Sequence, residues 1–336
     1  MPKILVTGGC GFVGCNLIRM ILQDRPDTAV RNLDALTYSG RQINVAEFSG
    51  DPRYEFRRGD VADLRACREA VEGCDAVLHL AAESHVDRSI QDPRPFAISN
   101  TLGTQTLLEA WRTGPSRHGG RFVHVSTDEV YGDLPLGGGV APFTEDSPRR
   151  PRSAYAASKA GAEHFADAYH ETFGLNVVQT RGCNNLGPYQ FPEKLVPVLI
   201  TRAMRGERLP LYGDGEHVRD WMHVDDHCRG ILAALDRGAS GRTYNLGAGQ
   251  ERSNLEVARA ILDTLGQSED LIKHVADRPG HDRRYALDST RARDELGWEP
   301  SDSAWPTALH RTVRWYKDNQ AWTDSVLAPS PETREP

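Results

Sequence analysis

Apolar residues fall in two alternating rhythms along the first half of the chain. Short β-branched or apolar runs at Lys3–Thr7, Val30–Asp34, Tyr54–Arg57, Ala76–Leu80 and Phe122–Ser126 predict strands. Stretches of helical period near Phe12–Gln23, Leu64–Val71 and Gly103–Trp111 separate them. Several strand segments are apolar almost throughout, as strands are when helices cover both faces of a sheet. Strand alternating with helix predicts an α/β fold, a doubly wound parallel sheet of Rossmann type. No repeat of roughly 20–50 residues is present, which argues against solenoids and propellers.

Beyond about residue 180 the rhythm breaks. Pro188, Pro192, Pro197 and Pro210, with Gly187, Gly206, Gly213 and Gly215, cut the chain into short elements. The expected organisation is a sheet domain over residues 1–180 and a smaller C-terminal ligand-binding region over 181–327. Val177–Thr180 and Thr243–Leu246 read as segments that return to the main sheet. A polar, proline-rich flexible tail over 328–336 ends the chain.

Composition narrows the class. The chain has 336 residues, 39% hydrophobic and 26% charged, enough for one large domain or two ordinary ones with a buried core. No apolar run approaches the roughly 20 residues that span a bilayer, so no membrane role is expected. Lys3 and the short Ile4-Leu5-Val6 burst, followed by Thr7 and two glycines, do not form a signal peptide, and a cytoplasmic location is expected. Forty Lys and Arg against 47 Asp and Glu give a net charge of -7, without the basic surplus of a nucleic-acid binder. The six cysteines form no CxxC pair and read as reduced thiols, so no metal site is expected.

Candidate chemistry begins at Thr7-Gly8-Gly9-Cys10-Gly11-Phe12-Val13-Gly14, which follows the first predicted strand and opens the first helix. Glycines serve a tight turn, a close approach of backbone to a pyrophosphate, and the packing of helix on strand. The helix start adds unpaired N–H groups and a positive dipole end. Asp34 ends the second strand, 20 residues beyond Gly14, where an acid hydrogen-bonds the adenosine ribose and repels a 2′-phosphate. Ala35 follows it, not an arginine. The pattern predicts a dinucleotide site that prefers NAD to NADP.

Tyr155-Ala156-Ala157-Ser158-Lys159 begins a strongly helical stretch reaching about Gly174. Residues four apart share a helix face, so the phenol and the ammonium point into one site, and the cation is expected to lower the tyrosine pKa. With Ser126-Thr127 after the fifth strand, the pattern resembles the active site of extended short-chain dehydrogenases/reductases. Ser126-Thr127-Asp128-Glu129-Val130-Tyr131-Gly132 lies at a strand's carboxyl end, the edge at which open α/β sheets bind ligands. Neighbouring acids in a closed site repel, so one stays protonated while the other ionises, which supplies an acid and a base for eliminating water.

From about residue 3 to about residue 300 the chain resembles the dTDP-glucose 4,6-dehydratase family. The resemblance rests on Asn32–Tyr38, His79–Ser89, Ser126–Gly132, Tyr155–Lys159, Asn184–Leu195, Tyr212–Gly215 and Val218–Trp221. It implies that Tyr155, helped by Lys159 and Thr127, takes the proton of the sugar 4-hydroxyl while NAD accepts the C4 hydride. Glu129 then removes the C5 proton, Asp128 protonates the leaving 6-hydroxyl, and the hydride returns to C6. It further implies cofactor contacts at Gly8, Gly11, Phe12, Val13, Gly14, Asp34, Ala35, Leu36, Thr37, Asp60, Val61, Leu80, Ala81, Ala82, Ser84, Ser99, Tyr155, Lys159 and Asn185. Substrate contacts are implied at Ser84, His85, Thr127, Asp128, Glu129, Asn184, Glu193, Lys194, Leu195, Tyr212, Arg219, Asn254, His281 and Tyr285. A guanidinium at Arg219 suits bidentate contact with a pyrophosphate, or else pairs with Asp220. Tyr212 either stacks on the base or packs. The family also suggests a homodimer through the Gly103–Trp111 and Tyr155–Gly174 helices.

Several positions depart from the family pattern. Leu186 stands for a tyrosine, Gly182 for a cysteine, Ser99 for a threonine and Arg41 for an asparagine. Leu186 is the departure that bears most on substrate identity, since it removes a hydroxyl expected close to cofactor and sugar. His124, inside an apolar strand, reads as a core residue. The rival readings are an NAD-dependent sugar-nucleotide 4-epimerase, a UDP-sugar decarboxylase or dehydratase, and a catalytically silent NAD-binding regulator. The epimerase and the decarboxylase typically lack the adjoining acids, and the regulator is expected to have lost Tyr155, Lys159 or the acids. Sequence leaves thymidine against uridine open.

Overall fold

The structure is a computed structural model that describes residues 1–114, 119–137 and 139–328. The main sheet has seven parallel strands in the order β10-β6-β5-β4-β1-β2-β3. They are β1 Lys3–Thr7, β2 Ala29–Asp34, β3 Tyr54–Arg58, β4 Ala76–His79, β5 Arg121–Thr127, β6 Val177–Gly182 and β10 Thr243–Leu246. The central strands are buried along nearly their whole length because helices cover both faces.

Strand order reverses between β1 and β4. At that point the carboxyl ends of two strands diverge and open a crevice, and the Gly8–Gly14 loop and the segment after β4 border it. On one face the helix Phe12–Asp24 buries Leu17, Ile18, Ile21 and Leu22, spaced by one helical turn. On the other face lie Leu64–Val71, the helical run that ends in Gly103–Thr113, and the long helix Ala154–Phe173. The long helix starts where Ser153 caps the Ala156 amide at 3.0 Å and stops at Gly174, which takes the left-handed conformation.

The chain after residue 182 serves two layers. The helix Val224–Arg237 packs on the main sheet beside Phe12–Asp24, so part of the C-terminal half completes the first core. The rest forms a second apolar core around Leu199, Leu211, Trp221, Ile261, Leu309 and Trp322. There β7 Asn184–Leu186, β9 Val218–His223 and β11 Glu251–Ser253 make a small sheet, while β8 Leu209–Tyr212 pairs with β12 Ile272–Val275. Helices Leu195–Met204, Asn254–Leu265 and Thr307–Asp318 pack around them. Of the expected tail over 328–336, residues 329–336 lie outside the described residues.

Candidate active site

The crevice is built first from glycine. Gly8 has a φ of +72°, and a Cβ there would stand 2.8 Å from the Ala81 backbone; at Gly14 it would stand 2.2 Å from the Gly8 carbonyl oxygen. Only glycine lets the loop, the helix and the end of β4 approach this closely. Gly11 caps the helix Phe12–Asp24 without a side-chain acceptor, and its first turn holds no acid, so the leading N–H groups remain available to a phosphate. Asp34 accepts the Cys10 amide on Oδ2 and the Leu36 amide on Oδ1, each at 2.8 Å. Each carboxylate oxygen keeps a second lone pair for a ribose hydroxyl. These features fit a dinucleotide.

The crevice places most of the expected cofactor residues together. Gly8, Gly11, Phe12, Val13, Gly14, Asp34, Ala35 and Thr37 line one end and wall. Asp60, Val61, Leu80, Ala81, Ala82, Ser84, Ser99 and Asn185 continue the lining as far as Tyr155 and Lys159. Leu36 does not line it; its side chain packs against the main core.

At the far end the acids meet the helix pair. Asp128 is 2% exposed, with Thr127 Oγ1 donating to its Oδ1 at 3.2 Å and Oδ2 without a partner among the described residues. Burial, then the Glu129 charge, pushes the Asp128 carboxyl well above its ordinary pKa. Burial raises Glu129 too, but Arg278, Lys194 and Arg219 oppose the shift and favour its charged form. Lys159 is buried, donates to the Val125 carbonyl oxygen at 2.7 Å, and is brought down to about 8 by burial. The expected depression of Tyr155 is absent. Burial, then the Glu129 charge, holds the phenol above its ordinary value, and the Thr127 hydroxyl only partly offsets this.

Of the expected substrate residues, Ser84, Thr127, Glu193 and Lys194 line this crevice and the others do not. Glu193 lies 3.9 Å from His85 and 3.5 Å from Arg88, while Lys194 donates to the Ser84 carbonyl oxygen. Arg219 is 5% exposed, donates to the carbonyl oxygens of Val218 and Asp282, and lies 4.3 Å over the Tyr285 ring. The alternative Arg219–Asp220 pair is not made: Asp220 instead accepts the amides of Ala248, Gly249 and Gln250. Tyr212 donates to Asp87 at 2.9 Å and meets the His281 ring edge-on. Buried oxygens of Asn185, Glu193 and Asn254 lack partners among the described residues, as groups that await a ligand do. Asn184 in β7 is half-buried, and Leu195 opens its helix against the second core.

A family model described as GDP-mannose 4,6 dehydratase matches residues 5–305. The dTDP-glucose 4,6-dehydratase of Streptomyces griseus is 50% identical, with 96% of this chain and 97% of that protein covered. This chain belongs to the GDP-mannose 4,6 dehydratase family, among its dTDP-glucose 4,6-dehydratases. The dTDP-glucose 4,6-dehydratase of Streptomyces venezuelae, solved with NAD bound, superposes with a TM-score of 0.91 at 47% identity, covering 96% of this chain and 99% of that one. A UDP-glucose 4-epimerase of Thermotoga maritima shares the fold at a TM-score of 0.86 and 28% identity, over 95% and 99% of the two chains.

Within this dehydratase family the four departures fall differently. Leu186 is 1% exposed inside the second core and does not line the crevice, so the weight that sequence gave it in substrate choice moves elsewhere. Arg41 lies over the Phe191 ring, whereas Gly182 and Ser99 both line the crevice. Among the further lining residues that sequence reasoning did not assign are Glu83, Cys183, Gln190 and His227. Glu83 and Gln190 lay within quoted motifs, but nothing marked Cys183 or His227. It also missed the meeting of His217 and Asp277 with His281, whose ring stacks 3.6 Å from that of His217.

Proposed function

We propose that this protein dehydrates dTDP-glucose to dTDP-4-keto-6-deoxyglucose, with NAD as its cofactor. One observation carries the reading: two adjoining acids with unlike electrostatic surroundings stand beside Tyr155 and Lys159 at the end of β5. A site that only oxidises and re-reduces its sugar needs the Tyr155–Lys159 pair; the acids add what elimination requires. When bound, the oxidised nicotinamide takes the C4 hydride, returns it at C6, and brings positive charge beside the buried phenol.

The chain's own residues move the protons. Tyr155 takes the 4-hydroxyl proton, oriented by Thr127 and with the Lys159 ammonium one helical turn away. The 4-ketone acidifies C5–H, and Glu129, whose charge Arg278, Lys194 and Arg219 partly support against the cost of burial, removes that proton. Asp128, kept protonated, donates to the departing 6-hydroxyl, which leaves as water. After hydride arrives at C6, Glu129 supplies the proton that C5 regains. Arg219 suits the diphosphate, and Tyr212 with His281 suits the base.

The protein is further proposed to act as a homodimer in the cytoplasm. Six free, buried cysteines suit a reducing compartment, and among the described residues no helix is long and apolar enough to cross a membrane. Mass analysis after incubation with dTDP-, UDP- and GDP-glucose tests the reaction. Conversion of dTDP-glucose to a product lighter by one water is expected; unchanged mass with every sugar would refute it.

A further inference from the structure

His227 lies in the crevice wall without belonging to any motif considered above. It sits in the helix Val224–Arg237 and is 4% exposed. A Cβ on Gly182 would stand 2.7 Å from its Nε2 and 2.8 Å from its Cε1, so the ring fills the room that Gly182 leaves. Gly182 ends β6 beside Thr127 of β5, which bonds Tyr155, and three strands separate it from Asp34 at the end of β2. Both ring nitrogens are buried and without a hydrogen-bond partner among the described residues.

Two other buried histidines supply the contrast. His79 places its nitrogens 2.7 Å from the Thr7 hydroxyl and 2.9 Å from that of Thr104, as a settled core histidine does. His124 is also unpaired, but it lies inside β5 and does not line the crevice. His227 alone of the three combines unpaired nitrogens with a place in the wall. A buried donor left unpaired is costly, and in a ligand site its partner arrives with the ligand.

We propose that His227 holds the carboxamide of the nicotinamide ring and so fixes how that ring lies against Tyr155; this rests on the NAD reading above. Burial brings the His227 pKa down to about 4, so at neutral pH the ring offers one N–H and one bare nitrogen. A carboxamide carries both a carbonyl oxygen and N–H donors, so it complements either tautomer at the ring edge facing Gly182. The adenosine ribose would lie at Asp34, on the far side of those three strands from this imidazole.

Calorimetric titration of the full chain with NAD and with ADP-ribose, which lacks only the nicotinamide, separates this contact from general packing. His227→Phe keeps a planar ring without its nitrogens. It is expected to weaken NAD about tenfold and ADP-ribose less than twofold, and His227→Gln, which keeps a donor and an acceptor, to recover most of the loss. Equal losses for both nucleotides would make the role structural, and no loss for either would mean the nitrogens are paired otherwise; each result overturns the proposal. In the wild-type chain, which avoids any folding defect, the His227 ring nitrogen resonances are expected to shift with NAD and not with ADP-ribose. Identical responses to the two would also overturn it. If wild type bound neither nucleotide, the dinucleotide reading itself would fall.

Discussion

Asp128 shows how a single buried carboxyl ties stability to chemistry. Burial and the Glu129 charge lift its folded pKa well above the ordinary value. The folded chain then holds a proton that the unfolded chain has released, so this group costs stability as pH rises from its unfolded pKa to its folded one. Asp128→Asn removes that cost. The variant is expected to gain nothing at about pH 4 and then progressively more, by roughly 1.4 kcal/mol per pH unit, until the folded pKa is passed. Thermal unfolding of both proteins across that range measures the gain, and a pH-independent difference would contradict it. The same variant is expected to oxidise C4 yet stall at water loss, so reduced cofactor accumulates on the protein and absorbs in the near ultraviolet; turnover at the wild-type rate would remove Asp128 from the acid role. The acids were legible in the sequence because a strand's carboxyl end delivers them beside Tyr155, just past Thr127 in the crevice wall. The direction of the Tyr155 shift was not, because spacing shows Lys159 one turn away but neither its bond to the Val125 carbonyl nor Glu129 beside the phenol.

Among the elements, the helix Ala154–Phe173 must hold Tyr155 and Lys159 at a fixed height over the sheet. Glu163, fully buried on that helix, receives Arg181 of β6 through Nε on Oε1 at 3.0 Å and through Nη2 on Oε2 at 2.6 Å, with Arg149 also 2.6 Å from Oε2. Removing one member of a buried pair leaves an uncompensated charge, so Glu163→Gln is expected to cost about 3–5 kcal/mol. The two guanidiniums hold the Glu163 pKa below its ordinary value, so its contribution is present above the unfolded pKa and is lost as pH falls through the folded one. Urea unfolding at neutral and acid pH checks both statements; a gap that widened in acid would contradict the sign. Strands and helices before residue 180 could be read from sequence because each buries a regular face, and β1 and the helix Leu64–Val71 match residue for residue. Later elements were harder: β7 and β11 have three residues each, too short for a period, and pairings such as β10 with β6 are decided across the fold.

At the scale of the whole molecule, helix Ala154–Phe173 packs beside the helical run that ends in Gly103–Thr113. That layer leaves Ile98, Leu102 and Phe165 exposed by 37%, 48% and 40%. For the proposed homodimer these are the natural contacts between copies. The wild-type chain is expected to run at twice its 37.2 kDa in light scattering, and the Leu102→Glu/Phe165→Glu double variant at the monomer mass; a wild-type monomer would refute the assembly. The doubly wound sheet was legible from alternation, and so was the return of Thr243–Leu246 to it, but the place of Val224–Arg237 was not, since nothing local in that helix says which core it covers. The sheet itself is shared with 4-epimerases, so the central claim rests on what the acids add to it. Deuterium placed at C4 of dTDP-glucose decides between them. The account predicts that the label reappears at C6 of a product lighter by one water, with one solvent hydrogen gained at C5. Label returned to C4, an unexchanged C5 and an unchanged sugar mass would contradict it.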